Sequence, residues 1–159
     1  MRRFVYALAA LGGAAILTAA SGYAAGNDSN YLPNPTLTPG KTAKVDVDKL
    51  CSANFAAPAL SDKKKEEALT NYGLGRDKSE HVVDFLVPQS LGGSDSLDNL
   101  WPMAPKGEFG ADKKDQLEAK LHELVCSKQM KLADAQKEIR KNWVKAYRQY
   151  VGGETTAAK

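Results

Sequence analysis

HVVDFLVPQSLGGSDSLDNLWP, residues 81–102, decides the fold class. HVVDFLVP (81–88) is rich in β-branched and aromatic side chains and ends at Pro88, the composition of a short strand with a built-in stop. LGGSDS (91–96) supplies turn chemistry, with Gly92 and Gly93 suited to a backbone needing φ > 0, and LDNLWP (97–102) is a second candidate strand. The stretch therefore predicts a hairpin or broad β-loop. No helix start follows the glycines directly, so a phosphate-cradling loop is the poorer reading of them.

Helical patterning begins just downstream, near Ala111. Leu117, Leu121, Leu124 and Val125 recur at the i, i+4, i+7, i+8 spacing of a buried stripe, and the helix should end near Ser127. A second helix follows. Leu132, Ala135, Ile139, Trp143, Ala146 and Tyr150 share one side of it, whereas Lys137, Lys141, Lys145 and Arg148 share the other. Upstream, Ser61 is placed to cap a helix running through Asn71, with Gly73 as its terminator and Lys63, Lys64 and Lys65 on its solvated face. Two strands followed by helices predict an α+β fold.

The remaining segments set the chain's organisation. Arg2 and Arg3 precede an uncharged run rich in Ala, Leu, Ile and Val from Phe4 to Ala20, and SGYAAG then offers small residues for cleavage after Ala24 or Ala25. Residues 1–25 thus read as a secretory leader; the run is short and too rich in Ala and Gly for a retained anchor. Residues 26–44, broken by Pro33, Pro35 and Pro39, read as an extended arm, 45–150 as the folded domain and 151–159 as a fraying tail. Export makes the chain periplasmic or extracellular, with no stable membrane association once the leader is removed. Lys and Arg number 22 against 19 for Asp and Glu, so without Arg2 and Arg3 the rest of the chain is close to neutral. A globally polyanion-seeking surface is not indicated. Two cysteines, Cys51 and Cys126, rule out a Cys₄ zinc site and leave either one bridge or two free thiols, and export favours the bridge.

VVDFLVPQSLGGSDSLDNLWP, GADKKDQLEAKLHELVC (110–126) and LADAQKEIRKNWVKAY (132–147), together with LTPG, Cys51 and the Tyr72-Gly73 pair, resemble a family of exported bacterial HNH endonuclease-like proteins. The likeness covers roughly Pro33 to Tyr147. It implies a small ββα-metal core, two antiparallel strands and a helix enclosing a divalent ion such as magnesium or zinc, with flanking helices and a nucleic acid as substrate. Hydrolysing a phosphodiester needs an activated water and a cation to neutralise charge on the phosphate. In that family an acid on the first strand helps bind the ion, the next residue is the histidine that takes the water's proton, and an Asn on the second strand orients the histidine. Asp84 matches the acid and Asn99 the asparagine. Helix groups complete the ion shell there, and Asp115, Glu118 and His122 are the candidates here. The matching cysteine positions imply a bridge between Cys51 and Cys126.

The likeness departs at the position of the base, where Phe85 stands in place of histidine and accepts no proton. His81, four residues earlier and about 13 Å away along a strand, does not substitute. Losing a positioned base removes about 10² to 10⁴ in rate. Bland roles also stand beside each functional one. Asp84 can cap or pair at a strand end, Asn99 can satisfy a turn, Asp115 and Glu118 can pair with Lys113, Lys114 or Lys120, and His122 can pack beside the leucines. The lysine face of the last helix is either solvated or a phosphate-contact surface. The expectation is a preserved fold with a degraded site, active weakly or not at all as a nuclease. The alternative is a non-catalytic secreted module that binds nucleic acid or protein.

Overall fold

The structure is a computed structural model that describes residues 28–75 and 80–153; the expected leader and residues 154–159 of the expected tail lie outside them. Its elements are α1 (Val47–Leu50), α2 (Asp62–Asn71), β1 (Val82–Phe85), β2 (Leu100–Met103), α3 (Ala111–Cys126) and α4 (Leu132–Tyr150), with short 3₁₀ turns between them. Two antiparallel strands and four helices among the described residues make the chain α+β, as the sequence predicts. No helix among them is long and apolar enough to cross a membrane.

Both strands are shorter than their sequence patterns. They pair in the register Val82 with Met103, Val83 with Pro102, Asp84 with Trp101 and Phe85 with Leu100. Pro102 lacks an N–H, which is tolerated because a two-stranded sheet consists only of edges. The ladder stops after Phe85 because Asn99 takes over the next backbone groups with its side chain. Its Oδ1 accepts from Val87 N at 2.9 Å, and its Nδ2 donates to Val87 O at 2.9 Å and to Ser94 O at 2.8 Å. Leu97–Asn99 consequently forms a 3₁₀ turn where the sequence predicts strand. Within the loop Gly92 adopts φ +76°, and a Cβ on Gly93 would lie 1.7 Å from Val87 O. The glycines serve turn geometry and close backbone approach.

The helices follow their expected bounds closely. Ser61 Oγ accepts from Lys64 N to cap α2, and Gly73 (φ +73°) follows its C-cap. Leu117, Leu121 and Val125 of α3 are buried against Ile139, Trp143 and Val144 of α4, forming the main core with Leu86, Leu91, Trp101 and Met103. Each fully buried aliphatic side chain there contributes about 1.5–3 kcal/mol of transfer free energy. One feature of α4 is not visible in its pattern: Asn142 leaves helical geometry (φ −166°, ψ 94°). Its Oδ1 accepts from Lys145 N at 2.8 Å, so the residue caps a second helical segment where the first breaks.

The arm is docked rather than free over the residues described. Trp143 Nε1 donates to Tyr31 O at 2.7 Å, and Asp28 receives Arg148 Nη1 at 2.9 Å and Asn142 Nδ2 at 3.1 Å. Thr38, fully buried, donates to Leu100 O and receives the Tyr72 hydroxyl. Thr42 then bridges Gly93. These contacts satisfy polar groups that a proline-broken segment cannot pair within itself.

Candidate functional site

Two of the candidate ion ligands, Asp84 and Glu118, meet around a lysine. Lys114 lies three residues before Leu117, so it continues the stripe of Leu117, Leu121 and Val125 onto the first turns of α3 and carries its ammonium under β1. The side chain is 0% exposed. Its Nζ lies 2.9 Å from Asp84 Oδ2, contacts Glu118 Oε1, and donates to the carbonyl oxygen of Phe85. Asp84 and Glu118 are themselves only 19% and 17% exposed, so little water shares the arrangement. Asp84 Oδ2 accepts no aligned hydrogen bond, which makes its contact with the ammonium mainly coulombic.

The electrostatics follow from burial. Burial alone drives Lys114 toward its neutral form, but Asp84 and Glu118 outweigh it and hold the ammonium charged beyond the ordinary lysine range. Glu118 is pushed above the usual carboxylate range, first by burial and further by Asp84, although Lys114 opposes the shift. Asp115, exposed one residue after Lys114, is raised by partial burial and by Asp84. Asp84 and Glu118 thus share one internal cation, with Asp115 within electrostatic range of both Asp84 and the ammonium.

A divalent ion bound to Asp84 and Glu118 would sit about 2.0–2.2 Å from each ligating oxygen. The ammonium of Lys114 fills that space and would repel a second cation there. As folded, these residues do not fit the ion.

His122 is not part of this cluster. Two turns further along α3, its Nε2 donates to Leu50 O at 3.0 Å, a partner that can only accept, and lies 3.4 Å from Cys126 Sγ. Cys126 is bonded to Cys51, with Cα atoms 5.4 Å apart, as the sequence reading expects. The two sulfurs and a His122 ring nitrogen lie within 4.8 Å of one another, a set able to ligate a metal were the sulfurs not joined to each other. Phe85 is half-buried and meets the cluster through its carbonyl oxygen. Asn99 is fully buried, and its side chain holds the β1–β2 loop at Val87 and Ser94.

The basic face of α4 divides. Arg148 is committed to Asp28 and stacks 4.7 Å from the Phe109 ring centroid. Lys137, Lys141 and Lys145 are exposed and make no ion pair among the described residues. Lys141 and Arg140 also border a groove of about 610 Å³ between the arm and α4, floored by Leu32, Pro33, Thr38 and Leu86.

Sequence reasoning treats Lys114 as a surface partner for neighbouring acids. The signal that identifies it is its place in the leucine stripe, three residues before Leu117, where a solvated charge does not belong. Comparison with known proteins adds no assignment, since no family model, curated protein or solved structure matches the chain.

Proposed function

We propose that the chain is an exported, HNH-endonuclease-like protein in which an internal lysine has taken the place of the metal ion, so that phosphodiester hydrolysis is weak or lost and the domain acts by binding nucleic acid. The observation that carries this reading is the ammonium of Lys114 between Asp84 and Glu118. With Phe85 at the position of the base, both halves of the chemistry are absent: no water is activated, and the cation beside the acids is a fixed, buried ammonium.

Purified protein incubated with DNA or RNA and magnesium or zinc is expected to cleave neither. Phe85→His alone is expected to gain little, because the cation site stays filled. Phe85→His with Lys114→Ala should gain metal-dependent cleavage, by no more than about 10² to 10⁴-fold for the base itself. Robust metal-dependent cleavage by the unaltered chain would overturn the reading.

Binding is supported by Lys137, Lys141 and Lys145, which are exposed and make no ion pair among the described residues, Lys141 also bordering the arm groove. Exposed lysines without a carboxylate partner suit a phosphate backbone. Affinity for a nucleic acid should fall steeply with salt. Replacing Lys137, Lys141 or Lys145 by Gln should each reduce the slope of log K against log salt by about 0.7–0.9. A salt-independent affinity, or none, would remove nucleic acid as the partner.

A further inference from the structure

The disulfide corner holds a second piece of chemistry. Cys51 follows α1, while His122 and Cys126 stand one turn apart on α3, so three side chains of the two kinds commonest around zinc, Cys and His, converge from two parts of the chain. We propose that reduction of the Cys51–Cys126 bridge by a dithiol turns this corner into a Cys₂His site for one thiophilic divalent ion, zinc being the natural occupant.

The geometry is nearly that of the site already. Tetrahedral zinc, with bonds of about 2.3 Å to sulfur and about 2.0–2.1 Å to nitrogen, holds neighbouring ligand atoms about 3.5–3.8 Å apart. Both sulfurs and the ring nitrogen lie within 4.8 Å of one another, and the Cα atoms of the cysteines are 5.4 Å apart. Side-chain rotation covers the difference without moving a helix. Both cysteines are half-buried rather than sealed in the core, leaving the bridge open to attack by a thiolate. His122 gives up its bond to Leu50 O when Nε2 ligates, and its proton then resides on Nδ1.

The chemistry balances. Two electrons and two protons from the dithiol convert the bridge to two thiols, the dithiol becoming a disulfide. Metal binding then releases the two thiol protons as the sulfurs ligate. Three protein ligands leave a fourth position for water or an outside ligand, the arrangement of open rather than purely structural zinc sites. One corner would thus be a covalent tie when oxidised and a metal site when reduced.

Cobalt(II) is a spectroscopic substitute for zinc. The full chain, oxidised or reduced with a dithiol that is then removed without air, is titrated with cobalt while absorbance is followed. The reduced chain should bind one cobalt with thiolate-to-cobalt charge transfer and tetrahedral d–d bands, the oxidised chain should show neither, and reduced His122→Ala should bind at least about tenfold more weakly. Zinc should raise the melting temperature of the reduced chain and leave that of a Cys51→Ser, Cys126→Ser double variant unchanged. Lack of charge transfer in the reduced chain overturns the proposal, as does equal cobalt affinity with and without His122. A reduced chain that is unfolded and stays so with zinc also overturns it.

Discussion

The two ends of α3 are fastened by opposite means. Near its start Lys114 joins helix to sheet through charge, meeting Asp84 of β1 and Glu118 of its own helix; at its finish Cys126 joins helix to the α1 segment by a covalent bond. The first tie answers to pH and to the loss of any one partner, and the second answers to redox state. The difference teaches why the charged end is poor evidence of stability by itself. Desolvating three ions offsets most of their mutual attraction, yet removing one member leaves the others buried without compensation.

Breaking the charged end should have the largest effect. Lys114→Met is expected to cost about 3–5 kcal/mol in urea unfolding, because Asp84 and Glu118 then face each other in a dry site. Adding Asp84→Ala and Glu118→Met should recover most of that loss. The same comparison tests the space the ammonium fills: in Lys114→Ala, magnesium or zinc should raise the melting temperature, whereas the unaltered chain should not respond. A loss below about 1 kcal/mol in Lys114→Met would mean that the three charges are solvated.

Opening the covalent end should cost somewhat less. The bridge spans 75 residues, and the chain-entropy estimate for such a loop is about 4 kcal/mol, with about 2–4 kcal/mol typical of measured bridges. Urea unfolding of the oxidised chain beside the Cys51→Ser, Cys126→Ser variant measures it. A difference under about 1 kcal/mol would place the stability of this corner in packing around Leu50 instead.

The smallest expected effect is on pH dependence, and it sharpens the contrast because only the charged end should show it. Glu118 has its folded pKa raised from 4.5 to about 7, chiefly by burial. The folded state therefore keeps a proton that the unfolded state has released, so Glu118's contribution is greatest below 4.5 and is lost as pH rises toward 7. Asp115 shifts in the same direction. Lys114 is raised as well, so its contribution is full below the ordinary lysine range and is lost only in strongly alkaline solution. Stability measured at intervals from pH 4.5 to 7 should fall less in Glu118→Gln than in the unaltered chain. Equal slopes would sink the assignment.

Much of the fold is legible in the sequence because its signals are local. Ser61 announces a cap, the leucines of α3 and the Ile139–Trp143 side of α4 announce buried faces, and Gly92-Gly93 announces a turn. The missed features depend on distant partners. The four-residue α1, capped by Asp46, is too short to show a period. The strands end early because Asn99 reaches twelve residues back to Val87, and Asn142 breaks α4 while also bonding Asp28. At the candidate site the sequence identifies Asp84 and Glu118, which do converge, and groups them with His122, which does not. Helical spacing alone cannot separate the two, since its direction is the same until another element supplies Leu50 O on one side and β1 on the other. The cation between the acids was equally out of view, because a lysine in a run of charges looks solvated until its place in the leucine stripe is weighed.

The docked arm bears on when the chain can fold at all. Arg148 closes onto Asp28 across 120 residues and Trp143 onto Tyr31 across 112, so both ends of the described domain belong to one closure. Contacts so far apart cannot form until the ribosome has delivered Trp143 and Arg148, and their loop-closure entropy delays them further. During synthesis, the arm's proline-rich segment has no finished surface to dock on. A polypeptide with this wiring cannot close the described domain while it is being made, and does so only once α4 has emerged.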